Sequence, residues 1–233
     1  MQREWELFYR KFITYNGYEN VLNGLWITVQ IAVLGLIIGI LIGMVIAVIK
    51  MIPKTRTAPK VFSFICDLYI GFFRGTPIVV QLLIGYFVLM PALGLNLPNV
   101  AVAIAVFGMN SGAYVSEIMR SGIQAVDPGQ LEAARALGLN YPTSMIKVVI
   151  PQAIKNIMPT LGNEFISLIK ETSVVSFIAI VDLTKAFRQI GDSNYEYIIP
   201  YLMLAAVYLV IVYIISQLVK LLERRLKKVD RNS

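Results

Sequence analysis

Five apolar stretches follow one another along the chain, at 21–49, 61–92, 97–121, 159–181 and 197–222, with polar connectors between them. Each is near or above the about 20 helical residues that cross a hydrocarbon core of about 30 Å. The pattern predicts an all-α, polytopic membrane protein of about five transmembrane helices. The second stretch is too long for one straight span and contains Asp67, Arg74, Gly75 and Pro77. Pro77 removes a backbone donor and pushes Thr76 away from helical geometry, so a break is predicted at 74–77. Irregular backbone at that depth is tolerated only where protein or a watery cavity surrounds it. Arg74 either snorkels to headgroups from such a kink or faces a cavity.

The polar positions inside the stretches are patterned too. Gly35, Gly39 and Gly43 repeat every four residues, extended by Ala47, which gives the first span a face that another helix can approach closely, inside one subunit or across a dimer seam. Asn110, Tyr114, Glu117 and Ser121 share one face of the third span. That face meets other helices rather than lipid, with Asn110 serving as interhelical glue or as a substrate contact. The fourth stretch carries Asn163, Glu164, Ser167, Lys170, Glu171 and Ser173. Lys170 and Glu171 are sequence neighbours and do not face each other on a helix, and charges this deep point to a functional site.

Between the third and fourth stretches lies a water-soluble island, 123–158. Asp127 is placed to cap a helix beginning at Pro128, with Gln130 at the capping-box position and Val126 and Leu131 spaced as a hydrophobic staple. Gly138 stands where a left-handed stop is wanted, followed by apolar Leu139. A second short helix is predicted from Asn140, with Pro142 in its first turn, until Pro151 breaks it. Residues 1–20 form a separate arm, too charged for a signal peptide. Trp5, Phe8, Phe12 and Tyr15 recur there at helical spacing, which fits an interfacial helix or, alternatively, a disordered tail. Residues 182–196 read as a mixed-charge external loop, 21–222 as the transmembrane domain, and 223–233 as a basic tail.

Composition agrees with a membrane protein: 57% of residues are hydrophobic and 15% charged, and mean hydropathy is +0.69. The net charge of +7 does not point to nucleic acid, because the basic residues lie between apolar runs and read as topology signals. Fourteen Lys and Arg fall on one side of a five-span arrangement and five on the other. The positive-inside rule then puts the N-terminus outside and the C-terminus in the cytoplasm. No histidine is present and Cys66 is the only cysteine, which excludes imidazole catalysis, a Cys/His metal site and an internal disulfide. Nor is there a Gly-rich Lys-Ser/Thr phosphate loop, so any ATP chemistry belongs to another chain.

Glu132-Ala133-Ala134, then three residues and Gly138, then nine residues and Val148-x-Ile150-Pro151 resembles the coupling-loop signature of ABC importer permeases, with Val and Ile where Ile and Leu are usual. From Arg74-Gly75-Thr76-Pro77 to Lys170-Glu171-Thr172-Ser173 the chain resembles the polar amino acid branch (histidine, glutamine, arginine and cystine permeases), over nearly its whole length after about residue 18. The resemblance implies the type I importer permease fold in a bacterial cytoplasmic membrane. It implies two permease copies, identical or homologous, on a dimer of ABC ATPase subunits that bind ATP and Mg, and an external solute-binding protein that delivers a polar amino acid. This chain itself holds no cofactor and is not an enzyme. By the same resemblance Glu132, Ala133, Ala134, Gly138, Leu139 and Pro151 belong to the surface gripped by the ATPase.

A zwitterion needs partners for both of its charges on leaving water. Lys170 offers a donor for a carboxylate and Glu171 an acceptor for an ammonium. Asn110, Thr76 and Ser173 offer further hydrogen bonds, Arg74 and Tyr114 line the same region, and Glu164, two turns below Glu171, offers a partner for a cationic side chain. The resemblance points to these positions as well, although Glu171 stands where Asp is frequent. The competing account pairs Lys170 with Glu117 as scaffold. An ATP-independent channel or secondary transporter would explain the charges but not the docking island. A membrane hydrolase would have only Ser167 with Lys170 to work with.

Overall fold

The computed structural model describes residues 2–52, 57–193 and 195–230, with side chains described as far as Arg225. Lys54 and Arg56 of the first basic connector and Lys227, Lys228 and Arg231 of the basic tail therefore lie outside the described side chains. Among the described residues every regular element is helical: α1 (Gln2–Tyr9), α2 (Gly17–Met51), α3 (Thr57–Gly75), α4 (Ile78–Ala92), α5 (Asn99–Gln124), α6 (Pro128–Ala136), α7 (Tyr141–Ser144), α8 (Ile150–Glu171), α9 (Leu183–Asp192) and α10 (Ile198–Asp230). Among the described residues α2, α5 and α10 are long and apolar enough to cross a membrane, and α3 with α4 meets the same measure as a pair bent by 107°, the geometry of a broken span or a re-entrant loop. The fourth expected span, which falls in α8, comes short of that measure because of the polar residues it carries. Its place is set by packing against α2, α5 and α10.

The bundle is organised on the α2–α5 pair. Gly39 of α2 lies so close to α5 that a Cβ there would sit 2.6 Å from Ser111 Oγ, and one on Gly112 would sit 2.7 Å from Ile42 Cγ2. The small residues of each helix thus receive the larger side chains of the other, and the Gly35–Ala47 face is used inside the subunit. Around this pair Ile31, Leu82, Phe107, Leu168 and Val175 form the main core.

Three sequence expectations are corrected. Residues 182–196 are not simply a loop: Leu183, Ala186, Phe187 and Ile190 form the buried face of α9, which packs on α2 and α10. A helix this short, half polar, leaves no span-like signal. Its cap, Asp182, is fully buried and accepts from Thr184 N (3.0 Å) and Lys185 N (3.1 Å). Burial lifts its carboxyl above the usual range, the backbone donors opposing. The arm packs here too, with Phe8 buried beside Phe187 and Phe12 stacked on Phe187 at 6.5 Å.

Pro151 does not end a helix. The chain runs from Tyr141 through a π-turn at Met145–Val149 directly into α8, with Pro151 in the first turn and Pro159 inside it. The missing donor of Pro151 falls where the hydrogen-bond register changes, so little is lost. The same arrangement precedes Pro91, after the π-turn Ile84–Leu89. The fourth span accordingly begins before Pro159, and it gives way at Thr172–Ile178 to a 3-10 turn closed by Ala179 at φ 65°.

Candidate functional site

The break in the second span is built around carbonyls that lose their helical partners. Phe73 O would accept from residue 77, but that residue is proline. It receives Gln81 Nε2 at 2.9 Å and Asn110 Nδ2 at 3.2 Å instead. Thr76 O would accept from Val80 N, which bonds Pro77 O, and Gln81 Nε2 again supplies the donor at 2.9 Å. The Thr76 hydroxyl donates to Phe72 O at 2.8 Å and accepts from Gln81 at 2.9 Å. Asn110 also donates to Gln81 Oε1 at 2.9 Å. Asn110 and Thr76 are thus brought together, with their donors committed to holding the bend. Gln81, which the sequence analysis did not single out, joins them. Its spacing of four residues after Pro77 was the available signal.

Beside the bend, the Arg74 guanidinium lies 5.5 Å from the Tyr114 ring centroid and 3.8 Å from Glu117. Glu117 also takes Arg120 at 2.7 Å and Lys50 at 3.7 Å, and Lys50 reaches Asp67 at 2.8 Å. Glu117 is therefore engaged by these cations, not by Lys170 as the competing account required.

On α8, Glu164 is half-buried and accepts from Ser111 Oγ at 2.9 Å. Ser111 is the chain neighbour of Asn110, so one turn of α5 addresses the bend with one side chain and α8 with the next. Glu171 is half-buried at the last position of α8, Lys170 beside it is exposed, and Ser173 is half-buried in the 3-10 turn. Glu164 and Glu171 are seven residues apart on one face, about 10 Å along the axis. No hydrogen bond joins the Lys170 or Glu171 side chain to the bend cluster among the described residues.

The docking island is built as a capped helix and an elbow. Asp127 accepts from Gly129 N at 2.9 Å. The predicted capping box is not formed, because the Gln130 side chain turns to accept from Gln152 Nε2 at 3.2 Å. Val126 and Leu131 share an apolar cluster with Met145, Val149, Ala153 and Ile157, as a staple would place them. At the far end Leu139 N bonds Ala134 O at 3.3 Å, Gly138 N bonds Arg135 O at 3.0 Å, and Gly138 has φ 86°. This pair of bonds is a Schellman stop, which only glycine enters without strain. Asn140 then caps the next turn by accepting from Thr143 N at 2.9 Å. Glu132, Ala133, Gly138, Leu139 and Pro151 are exposed, whereas Ala134 is buried against its own loop. Leu137, which the sequence analysis passed over, is 84% exposed at the tip of the elbow.

A family profile described as a binding-protein-dependent transport system inner membrane component matches residues 39–228. The arginine transport system permease protein ArtQ of Bacillus subtilis (strain 168) is 41% identical over 210 residues, 90% of this chain and 94% of that protein. A putative glutamine transport system permease protein, GlnP of Rickettsia bellii, is 39% identical over 88% of this chain and 92% of that one. A solved amino acid ABC transporter with histidines superposes with a TM-score of 0.84 at 42% identity, covering 93% of this chain and 98% of that one. The inward-facing methionine transporter MetNI shares the fold at 17% identity and a TM-score of 0.74 over 89% and 96%. The type I importer permease fold expected from the sequence is the fold observed.

Proposed function

The chain belongs to the family of binding-protein-dependent transport system inner membrane components, and from that premise we propose that it is the permease subunit of an ATP-driven importer of a cationic amino acid. The observation that carries the coupling is the exposed helix with its Schellman elbow, which presents Leu137 and Glu132 to solvent. An apolar side chain so exposed on a rigidly stopped turn suits insertion into a cleft of a partner. That partner is an ATPase subunit holding ATP and Mg. Two permease copies, identical or homologous, sit on two such subunits and take substrate from an external binding protein. ATP-driven closure of the ATPase pair brings the two loops together and opens the cavity outward; hydrolysis reverses it. The N-terminus then lies outside and the C-terminus in the cytoplasm of a bacterial inner membrane.

The substrate assignment rests on α8. Glu171 meets the α-ammonium, Lys170 the carboxylate, and Glu164, two turns away, a side-chain cation. Carboxylates about 10 Å apart on one helix face suit a molecule with a positive charge at each end. The arginine system named among the relatives transports this class, the glutamine system a neutral one, and the assignment stands on the two carboxylates. The coupling proposal is tested by isolating the chain from its own membrane under mild detergent. An ATPase subunit that co-purifies, and is lost with Leu137→Asp, is the expected result; isolation without any ATPase contradicts the proposal.

A further inference from the structure

We propose that Gln81 is a positioning residue of the translocation path: its side-chain amide holds the 107° bend between α3 and α4 and so sets where Arg74 and Thr76 stand. Gln81 is 4% exposed and Asn110 likewise 4%. With its nitrogen Gln81 reaches Phe73 O, Thr76 O and Thr76 Oγ1, all at 2.9 Å, and with its oxygen it accepts from Asn110 at 2.9 Å. One side chain on α4 therefore replaces the backbone donor that Pro77 lacks and the one that Val80 N has turned elsewhere. Besides Gln81, Phe73 O receives only Asn110 Nδ2 among the described residues, at 3.2 Å, and Gln81 supplies the side-chain donor to Thr76 O. A proline alone kinks a helix but leaves the direction beyond it loose. Here the amide ties the end of α3, the start of α4 and mid-α5 to one point, so the bend has one geometry. Arg74, one residue past Phe73, then stands over Tyr114 and beside Glu117.

The test is a double substitution in the full chain, assembled with its partner subunits. Gln81→Leu keeps bulk and removes both donors and acceptor. It should lower the thermal midpoint of the complex and reduce uptake at limiting substrate by about tenfold or more. The loss should appear as a higher half-saturating concentration rather than less assembled complex. Pro77→Ala restores a backbone donor to Phe73 O. In combination with Gln81→Leu it should bring the midpoint back toward wild type while uptake stays low, because the bend is no longer held. Where Gln81→Leu prevents assembly, Gln81→Met, of similar length and without an N–H or O–H donor, takes its place. Wild-type uptake in Gln81→Leu overturns the inference. So does a double variant no more stable than the single one, or one that regains uptake. The uptake arm rests on the importer reading, whereas the stability coupling between positions 77 and 81 does not. ATP-independent uptake by the unaltered complex would sink that reading alone.

Discussion

Ser111 on α5 donates its hydroxyl to the Glu164 carboxylate on α8 at 2.9 Å, and it does so from the residue next to Asn110, which closes the bend of the second span. Replacing Glu164 by Gln keeps the shape and the Ser111 bond but removes the charge. Uptake of arginine or lysine should then fall by about tenfold or more, the scale of a lost charge-assisted contact, while the complex still assembles and neutral amino acids compete as before. Undiminished preference for cationic substrates would remove Glu164 from the site. Lys170→Met and Glu171→Gln go further, and each should abolish uptake with assembly and nucleotide-dependent ATPase turnover intact. Loss of assembly would instead make the two residues scaffold.

The same serine links the site to the packing seam. A Cβ at Gly39 would lie 2.6 Å from Ser111 Oγ, so Gly39→Val must push α2 and α5 apart. A destabilisation of about 1–3 kcal/mol is expected for such overpacking, read as a lowered thermal midpoint of the solubilised complex. An unchanged midpoint would show that the two helices do not meet closely in the assembled transporter.

Much of this was legible in the sequence because the governing signals are local. A proline after Arg74-Gly75-Thr76 announces a break, glycines four apart announce a close helix pair, and Gly138 after an Ala-rich helix announces a left-handed stop. What was not legible depends on partners distant in sequence. Gln81 looks like any polar residue until Phe73 O and Asn110 are placed beside it. Gln130 has the right spacing for a capping box, yet Gln152 wins its side chain. The helix through Pro151 was missed because a π-turn absorbs the lost hydrogen bond, and α9 because ten amphipathic residues resemble a loop.

Coupling and stability should separate at the elbow. The site around Gly138 is open, with nothing that an added Cβ would strike, but its φ of 86° remains. Gly138→Val should therefore cost about 1–3 kcal/mol of backbone strain, confined to the loop. Leu137→Asp, at a side chain 84% exposed, should leave folding untouched. Both, together with Glu132→Lys, should lower stimulated ATPase activity and uptake in complexes that still insert in the membrane. Normal stimulation in Leu137→Asp would assign the docking surface elsewhere.

Topology follows from the charge distribution. In a Cys66→Ser background a cysteine at Asn96 should react with an impermeant thiol reagent added outside intact cells, and one at Asn140 only after permeabilisation. The opposite pattern would invert the protein and place the elbow away from any cytoplasmic ATPase.

The most direct measurement is transport by the purified complex in sealed vesicles, with the binding protein and labelled arginine or lysine on one face and ATP on the other. Accumulation against the gradient that needs ATP and Mg on the elbow side and stops with Lys170→Met is the predicted result. Equal uptake without ATP, halting at equal concentrations on both sides, would contradict it.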